Sequence, residues 1–218
     1  MSKTIEGWRF VGKSLLDGSP IPDDGKTLVF SGEPIIDEQG LFAGIEPFYA
    51  LRYAAGNTLC RVMCGGKVVT SAQSIACTEH TFMQRMDAEK MLRYFARTQA
   101  LSVIPMYPKG IDEVVFSYLN TGREGIRSKA RHAALDLVSG DSEWAAAKDT
   151  VVSSMSVHAI IAARDTALCA ASYSAWSTAR DFDQGSPEWD AAYTDAWIAA
   201  QDAKRAEFNL LVNDLFGM

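Results

Sequence analysis

The second half of the chain is nearly free of proline. From Arg123 to the C-terminus the only proline is Pro187, and alanine is the commonest residue. Alanine has the highest helix propensity, whereas proline in a helix interior removes a hydrogen bond and clashes with the preceding turn. This half is therefore predicted to be helical almost throughout. The β-branched and serine-rich run TVVSSMSVH, residues 150–158, predicts one interruption.

Two short patterns recur along this half. GDSEWAAA at residues 140–147 matches GSPEWDAA at residues 185–192, and each is typical of a helix start, with Asp141 or Ser186 as N-cap. A second pattern, Trp-x-x-Ala-(Lys/Arg/Gln)-Asp, begins at Trp144, Trp176 and Trp197. Degenerate helical repeats share one core between neighbours. We therefore predict a small antiparallel bundle of repeats, starting at about residue 123, whose core contains the tryptophans. A ligand-stacking or partner-binding surface is the alternative interpretation of the tryptophans.

The first 86 residues alternate short apolar runs with residues that favour turns. The runs predict strands at Trp8–Val11, Thr27–Phe30, Leu41–Ala43, Thr58–Met63 and Thr78–Met86. From Asp87 onward the pattern is helical, and acidic residues in the first turn suit the helix dipole. The predicted fold class is α+β: a small, mostly antiparallel β-rich domain at residues 1–86, followed by a helical domain at residues 87–218.

Glycine and proline residues predict where individual helices and turns begin and end. Pro47 is predicted to start a short helix, and Gly56-Asn57 to end it in the left-handed region. Gly65-Gly66 is predicted to form a hairpin turn between two strands. Asn120-Thr121-Gly122 is predicted to end a helix that contains Val114 and Leu119.

The negative charge is concentrated at the C-terminal end. Residues 181–218 contain eight acids against Lys204 and Arg205, which equals the net charge of −6 of the whole chain. Such a segment disfavours nucleic acid as a partner and suits a basic protein surface. The candidate partner-binding residues are Asp181, Asp183, Glu188, Asp195 and Asp202. A solvated helix face is the alternative interpretation, and self-association is compatible with the same pattern.

The sequence contains neither a long apolar run nor an apolar segment near its start. No stretch approaches the roughly 18 uncharged apolar residues of a membrane helix, and MSKTIEGWRF lacks the apolar region of a secretory signal. We therefore expect no membrane association and a cytoplasmic protein with reduced cysteines.

One group of residues has the composition of a metal site. Cys60, Cys64, Cys77 and His80 lie within 21 residues and are soft ligands of the kind that zinc prefers. Against this, Cys60 and Cys64 are four apart on a predicted strand, unlike the two-residue spacing of a zinc knuckle. Buried strand cysteines are common, so we expect no metal.

Catalytic patterns are missing from the sequence. None of the three histidines, His80, His132 and His158, lies in a glycine-framed turn with serine or cysteine, as activation of a nucleophile would favour. No phosphate-loop pattern follows Gly65-Gly66. We therefore expect no catalytic residues and no cofactor, which favours a non-enzymatic protein.

Two family resemblances follow from particular segments. The chain resembles uncharacterised phage and prophage accessory proteins, in which a small β-rich domain precedes helical repeats rich in alanine, tryptophan and aspartate. The segments that carry this resemblance are Gly7–Val11, Gly40–Ala43, Leu51–Ala54 and Val62–Gly66. This resemblance covers most of the chain. It implies a phage gene product that acts on host or anti-defence proteins.

The second resemblance is to small ADP-ribosyltransferases of the antibiotic-modifying type. Phe42, Tyr53 and Val62 stand at places comparable with those of that family. The family begins with a strand whose histidine holds the NAD ribose, but no histidine occurs here before His80. The resemblance therefore implies a degenerate relative of an NAD-using enzyme.

The preferred hypothesis is a non-enzymatic, phage-type accessory protein. It would bind another protein through its acidic helical surface and inhibit a host or defence protein. The alternatives are the degenerate NAD-using transferase and a virion or scaffold component.

Overall fold

The computed structural model describes residues 4–15, 18–107, 111–137 and 142–218. Five strands come first: β1 (Ile5–Val11), β2 (Thr27–Val29), β3 (Leu41–Gly44), β4 (Thr58–Thr70) and β5 (Ser74–Asp87). The short helix α1 (Pro47–Ala50) and a 3-10 turn (Leu51–Tyr53) lie between β3 and β4. The later helices are α2 (Glu89–Val103), α3 (Glu113–Thr121), α4 (Glu124–Leu135), α5 (Ser142–Ser154), α6 (Ala159–Ala179) and α7 (Pro187–Phe216), with a second 3-10 turn at Ile104–Met106.

The strands form one antiparallel sheet. β1 pairs with β3 and β4, while β5 pairs with β2, β3 and β4. The pairings β1–β4, β4–β5, β5–β3 and β3–β1 therefore close a ring of four strands, and β2 pairs only with β5. The predicted α+β class, with an antiparallel β-rich part followed by helices, is confirmed.

One core cluster lies on the inner side of this sheet. Its buried residues are Val11, Leu41, Ala43, Cys60, Val62, Cys64, Ile75, Cys77 and Phe82. Cys60, Val62 and Cys64 alternate along β4 and are all fully buried. The period of two that the sequence shows in this strand is the pattern of a strand with one buried face.

The glycine pair at residues 65–66 lies within a strand. β4 continues to Thr70, and the connection to β5 follows at residues 71–73. The β4–β5 register shifts between Gly65 and Val68, and Gly66 has φ +69°. The predicted hairpin turn is therefore wrong: the pair forms a β-bulge. A bulge and a tight turn both need the left-handed conformation that glycine adopts, so the local sequence does not separate them.

Gly56 also differs from its prediction. The helical segment after Pro47 ends at Tyr53, and neither Gly56 nor Asn57 has a positive φ. A Cβ on Gly56 would lie 2.6 Å from the Cα of Gly12 and 2.8 Å from the carbonyl oxygen of Val11. Glycine is needed there because the chain passes close to the end of β1, and its predicted role in ending the helix is wrong.

A second core cluster joins the helices from α2 to α5. Its buried residues are Ala100, Val103, Tyr107, Val115, Tyr118, Leu119, Ala130, Ala134, Ala147, Val151 and Met155. Gly122, with φ +65°, caps α3 in the left-handed conformation, as predicted. α5 ends at Ser154 and α6 begins at Ala159, so the interruption predicted within residues 150–158 is confirmed.

The chain divides into two compact units, Met1–Glu89 with Phe208–Met218, and Lys90–Glu207. In the first unit, the end of α7 packs on the sheet: the ring of Phe216 lies 5.1 Å from that of Trp8. The side-chain amide of Asn209 donates a hydrogen bond to Glu46 (2.6 Å). No helix among the described residues is long and apolar enough to span a membrane.

Candidate functional sites

The five predicted partner-binding acids are all exposed. Asp181 and Asp183 lie in the connection between α6 and α7, and Glu188, Asp195 and Asp202 lie on α7. The last three are spaced by seven residues, close to two helical turns, so they lie on one exposed side of the helix. We call the exposed side of residues 181–207 the acidic surface.

The first part of α7 is lightly packed. From Pro187 to Glu207 no side chain is buried, and Trp197 and Ile198 are 38% and 49% exposed. Trp189 and Tyr193 are half-buried. The prediction that the aromatic residues of this helix lie in a core is therefore wrong for Trp197, whereas Phe208, further along α7, is fully buried.

The repeated helix start is confirmed in its second copy. The hydroxyl oxygen of Ser186 accepts a hydrogen bond from the backbone N–H of Trp189 at 3.1 Å, the bond of an N-cap. Glu188 and Asp190 follow in the first turn, where negative charge stabilises a helix. In the first copy, Gly140 and Asp141 lie outside the described residues.

Three of the four candidate metal ligands come together. The register pairs Cys64 of β4 with His80 of β5, and Cys77 lies earlier on β5. One ligand atom from each of these residues lies within 4.8 Å of the other two, and all three residues are buried. Cys60, the fourth candidate, is not part of this group. We call Cys64, Cys77 and His80 the thiol–histidine cluster.

Burial and hydrogen bonding shift the pKa values of the cysteines and the histidine in this region. The hydrogen bond between the two thiols lowers the pKa of Cys77 and, together with burial, raises that of Cys64. Burial raises the pKa of Cys60 to about 11 and lowers the pKa of His80 below its usual value. His80 is therefore neutral at pH 7.

The environment of His80 does not suit a metal ligand. The guanidinium Nη1 of Arg9 lies 3.1 Å from Nδ1 of His80. Arginine can only donate, so Nδ1 accepts and the proton of the neutral ring is on Nε2. One nitrogen lone pair is thus occupied by Arg9, and the other nitrogen carries the proton. Metal-bound histidines instead donate their second N–H to an acceptor.

We therefore predict that the purified protein binds no zinc at this cluster. Elemental analysis after expression with added zinc should give far less than one zinc per chain, and a chelator should leave the melting temperature unchanged. The prediction is wrong if one zinc ion per chain remains bound through gel filtration and a chelator lowers the melting temperature.

Arg9 also lines a cavity of about 250 Å³ in the first unit, together with Phe42 and Tyr53. The two aromatic rings are stacked at 5.2 Å, and the hydroxyl of Tyr53 donates to Asp37 and lies 2.9 Å from that of Ser74. Phe42 and Tyr53 are two of the three residues of the transferase resemblance, and the third, Val62, does not line this cavity. The described lining residues include no acid and no histidine.

Comparisons with protein-family models, curated proteins and solved structures gave no match. The resemblances to phage accessory proteins and to ADP-ribosyltransferases stay predictions.

Proposed function

We propose that the protein acts by binding another protein whose basic surface docks on the acidic surface. The observation that carries the proposal is the exposure of α7: a continuous helix from Pro187 to Glu207 has no buried side chain. The inward stripe of this segment, which includes Trp189, Tyr193 and Ala196, is only half-buried. The segment therefore has less of the packing that usually stabilises helices in proteins. A partner would supply that packing.

The charges of this surface are largely unpaired. Asp183, Glu188 and Asp195 have no ion-pair partner among the described residues. Asp181 lies 4.0 Å from Arg180, and Asp202 lies 3.3 Å from Arg205. Unpaired acids of one sign attract a basic surface over a distance and raise the rate of encounter. This pattern supports a basic protein as the partner.

Two apolar side chains add a contact that charge alone would not provide. Trp197 and Ile198 are adjacent and exposed on the same helix as the acids. Tryptophan is enriched among the residues that contribute most to protein–protein binding. The combination supports an interface with an apolar centre and an acidic rim.

The resemblance to phage accessory proteins supports a host protein, such as a defence protein, as the target. The protein would then act in the host cytoplasm by occupying the basic surface of that target. This form of action needs no catalytic residue and no cofactor.

The test is affinity capture from a bacterial lysate with three forms of the full chain. The first is the wild type. The neutralised variant carries Asp181→Asn, Asp183→Asn, Glu188→Gln, Asp195→Asn and Asp202→Asn. The control variant carries the same charge change at exposed acids elsewhere, as Asp23→Asn, Glu38→Gln, Glu79→Gln, Glu113→Gln and Asp136→Asn.

The wild type and the control variant should capture the same proteins at low salt, and the neutralised variant should lose them. Capture should weaken at about 0.5 M salt, where charges are screened within a few ångströms. The proposal is wrong when the wild type recovers nothing at low salt, or when all three forms recover the same proteins.

A further inference from the structure

A cavity beside the acidic surface combines residues from both recurring sequence patterns. Glu143 comes from the first GDSEWAAA-type start and Trp189 from the second, while Trp176 and Arg180 belong to one Trp-x-x-Ala-Arg-Asp copy. These four residues line one cavity of about 190 Å³, and Phe182 lies at the same site. Sites for drug-sized molecules measure roughly 300–1,000 Å³, so this volume suits a single side chain.

The walls of this cavity are aromatic. The rings of Trp176 and Trp189 are 5.1 Å apart and inclined at 55°, and Tyr193 stacks on Trp189 at 4.9 Å. Both tryptophans are half-buried, so they keep an accessible part. The face of an indole ring carries negative electrostatic potential and attracts cations within about 6 Å of its centre.

A buried carboxylate completes the site. Glu143 is only 8% exposed, and its Oε1 is buried without a hydrogen-bond partner among the described residues. Among the described residues, Oε1 of Glu143 forms an ion pair with Nη1 of Arg180 at 3.9 Å, and the side chain of Arg180 is 62% exposed. A buried carboxylate is costly unless a donor or a cation satisfies it. Arg180 meets this requirement incompletely.

The aromatic walls and the buried carboxylate indicate which kind of group can bind in the cavity. An anion would pair with Arg180 but would be repelled by the buried carboxylate of Glu143. An apolar group would leave the carboxylate oxygen without a donor. A cation with N–H groups suits the carboxylate and the aromatic rings together, because it donates a hydrogen bond to Glu143 while its charge lies against the rings.

We propose that this cavity receives a lysine or arginine side chain from the basic partner. This inference rests on the proposed function and names the contact that fixes the partner in place. The incoming N–H group donates to Oε1 of Glu143, and the side chain lies against Trp176 and Trp189. Arg180 moves toward solvent, where most of its side chain already lies. The surrounding acids attract the partner, and the cavity orients it.

The experiment uses the full chain and a capped hexalysine peptide as the cationic probe. The indole N–H signals of the tryptophans are followed by NMR at low salt during the titration. We expect the signals of Trp176 and Trp189 to shift, and that of Trp8, in the sheet, to stay unchanged. A capped hexaglutamate peptide should shift none of them.

Two variants separate the cavity from the general negative charge. Glu143→Gln keeps the shape and removes the buried charge, and it should weaken hexalysine binding about ten-fold, the equivalent of roughly 1.4 kcal/mol. Asp195→Asn removes the same charge from α7 outside the cavity and should weaken binding less than about two-fold, as expected of an exposed group. Circular dichroism should show both variants folded.

The inference is overturned when hexalysine shifts neither Trp176 nor Trp189, or when Glu143→Gln and Asp195→Asn weaken binding equally. Either result would leave the proposed function standing if the neutralised variant still loses the captured proteins. Conversely, the cavity could bind hexalysine as expected while the neutralised variant captures normally. In that case the proposed function fails although the cavity is a cation site.

Discussion

Gly44→Ala is expected to lower the free energy of unfolding by about 3 kcal/mol, at the upper end of the range for overpacking substitutions. A Cβ at this position would lie 2.5 Å from the backbone nitrogen of Ala50 and 2.7 Å from the carbonyl oxygen of Glu46. Both are main-chain atoms, so no side chain can rotate away to make room. The substitution has to push α1 away from the end of β3, and urea unfolding followed by circular dichroism measures the loss.

Gly125→Ala is the matched control for this substitution. Gly125 lies in α4, and a Cβ there would have no neighbour within 4 Å. Alanine favours a helix over glycine by about 1 kcal/mol, so this variant should be as stable as the wild type or more stable. If Gly44→Ala unfolds at the same urea concentration as Gly125→Ala, the close approach of α1 to β3 is wrong.

Arg93→Met is expected to cost about 3 kcal/mol of stability, the scale of breaking a buried charged group away from its partners. Arg93 is buried, and its guanidinium donates hydrogen bonds to the carbonyl oxygens of Ser156 and Val157. It also lies 3.8 Å from the carboxylate of Glu124. Methionine fills part of the space but cannot donate, so the carbonyl of Ser156 loses its donor and that of Val157 keeps only the longer bond from Arg127, at 3.4 Å.

Arg164→Met provides the comparison. The side chain of Arg164 is 43% exposed, far more than that of Arg93, and pairs only with the adjacent Asp165 among the described residues. An exposed pair of this kind contributes less than about 1 kcal/mol. Hydrogen exchange should show residues 155–158 opening more readily in Arg93→Met and unchanged in Arg164→Met. Equal stability of the two variants would show that the connection does not depend on Arg93.

The sequence predicted the ends of helices correctly where the residue type has one structural role. Gly122 ends α3 and Ser186 starts α7, because a left-handed cap and an N-cap each have a specific residue preference. Gly65-Gly66 and Gly56 were different. Glycine serves a turn, a bulge or a close approach equally, and the choice depends on the strand beside it.

Long-range contacts were the part that the sequence did not predict. Cys64, Cys77 and His80 could be grouped because they lie on neighbouring strands close in sequence. Arg9, whose hydrogen bond to Nδ1 leaves the proton of His80 on Nε2, is 71 residues away in the sequence. The pairing of β1 with β4 brings it close to His80. Glu143 and Trp189 were singled out as members of a repeat, but nothing in the repeat indicates that its two copies meet at one cavity.

The most direct measurement of the central claim is carbodiimide labelling of carboxylates, followed by mass spectrometry, on the free protein and on its complex with a captured partner. We predict that Asp181, Asp183, Glu188, Asp195 and Asp202 lose reactivity in the complex. Exposed acids of the sheet region, such as Glu38, should label equally in both. Protection confined to the sheet region, with the acids of α7 fully reactive in the complex, would contradict binding through the acidic surface.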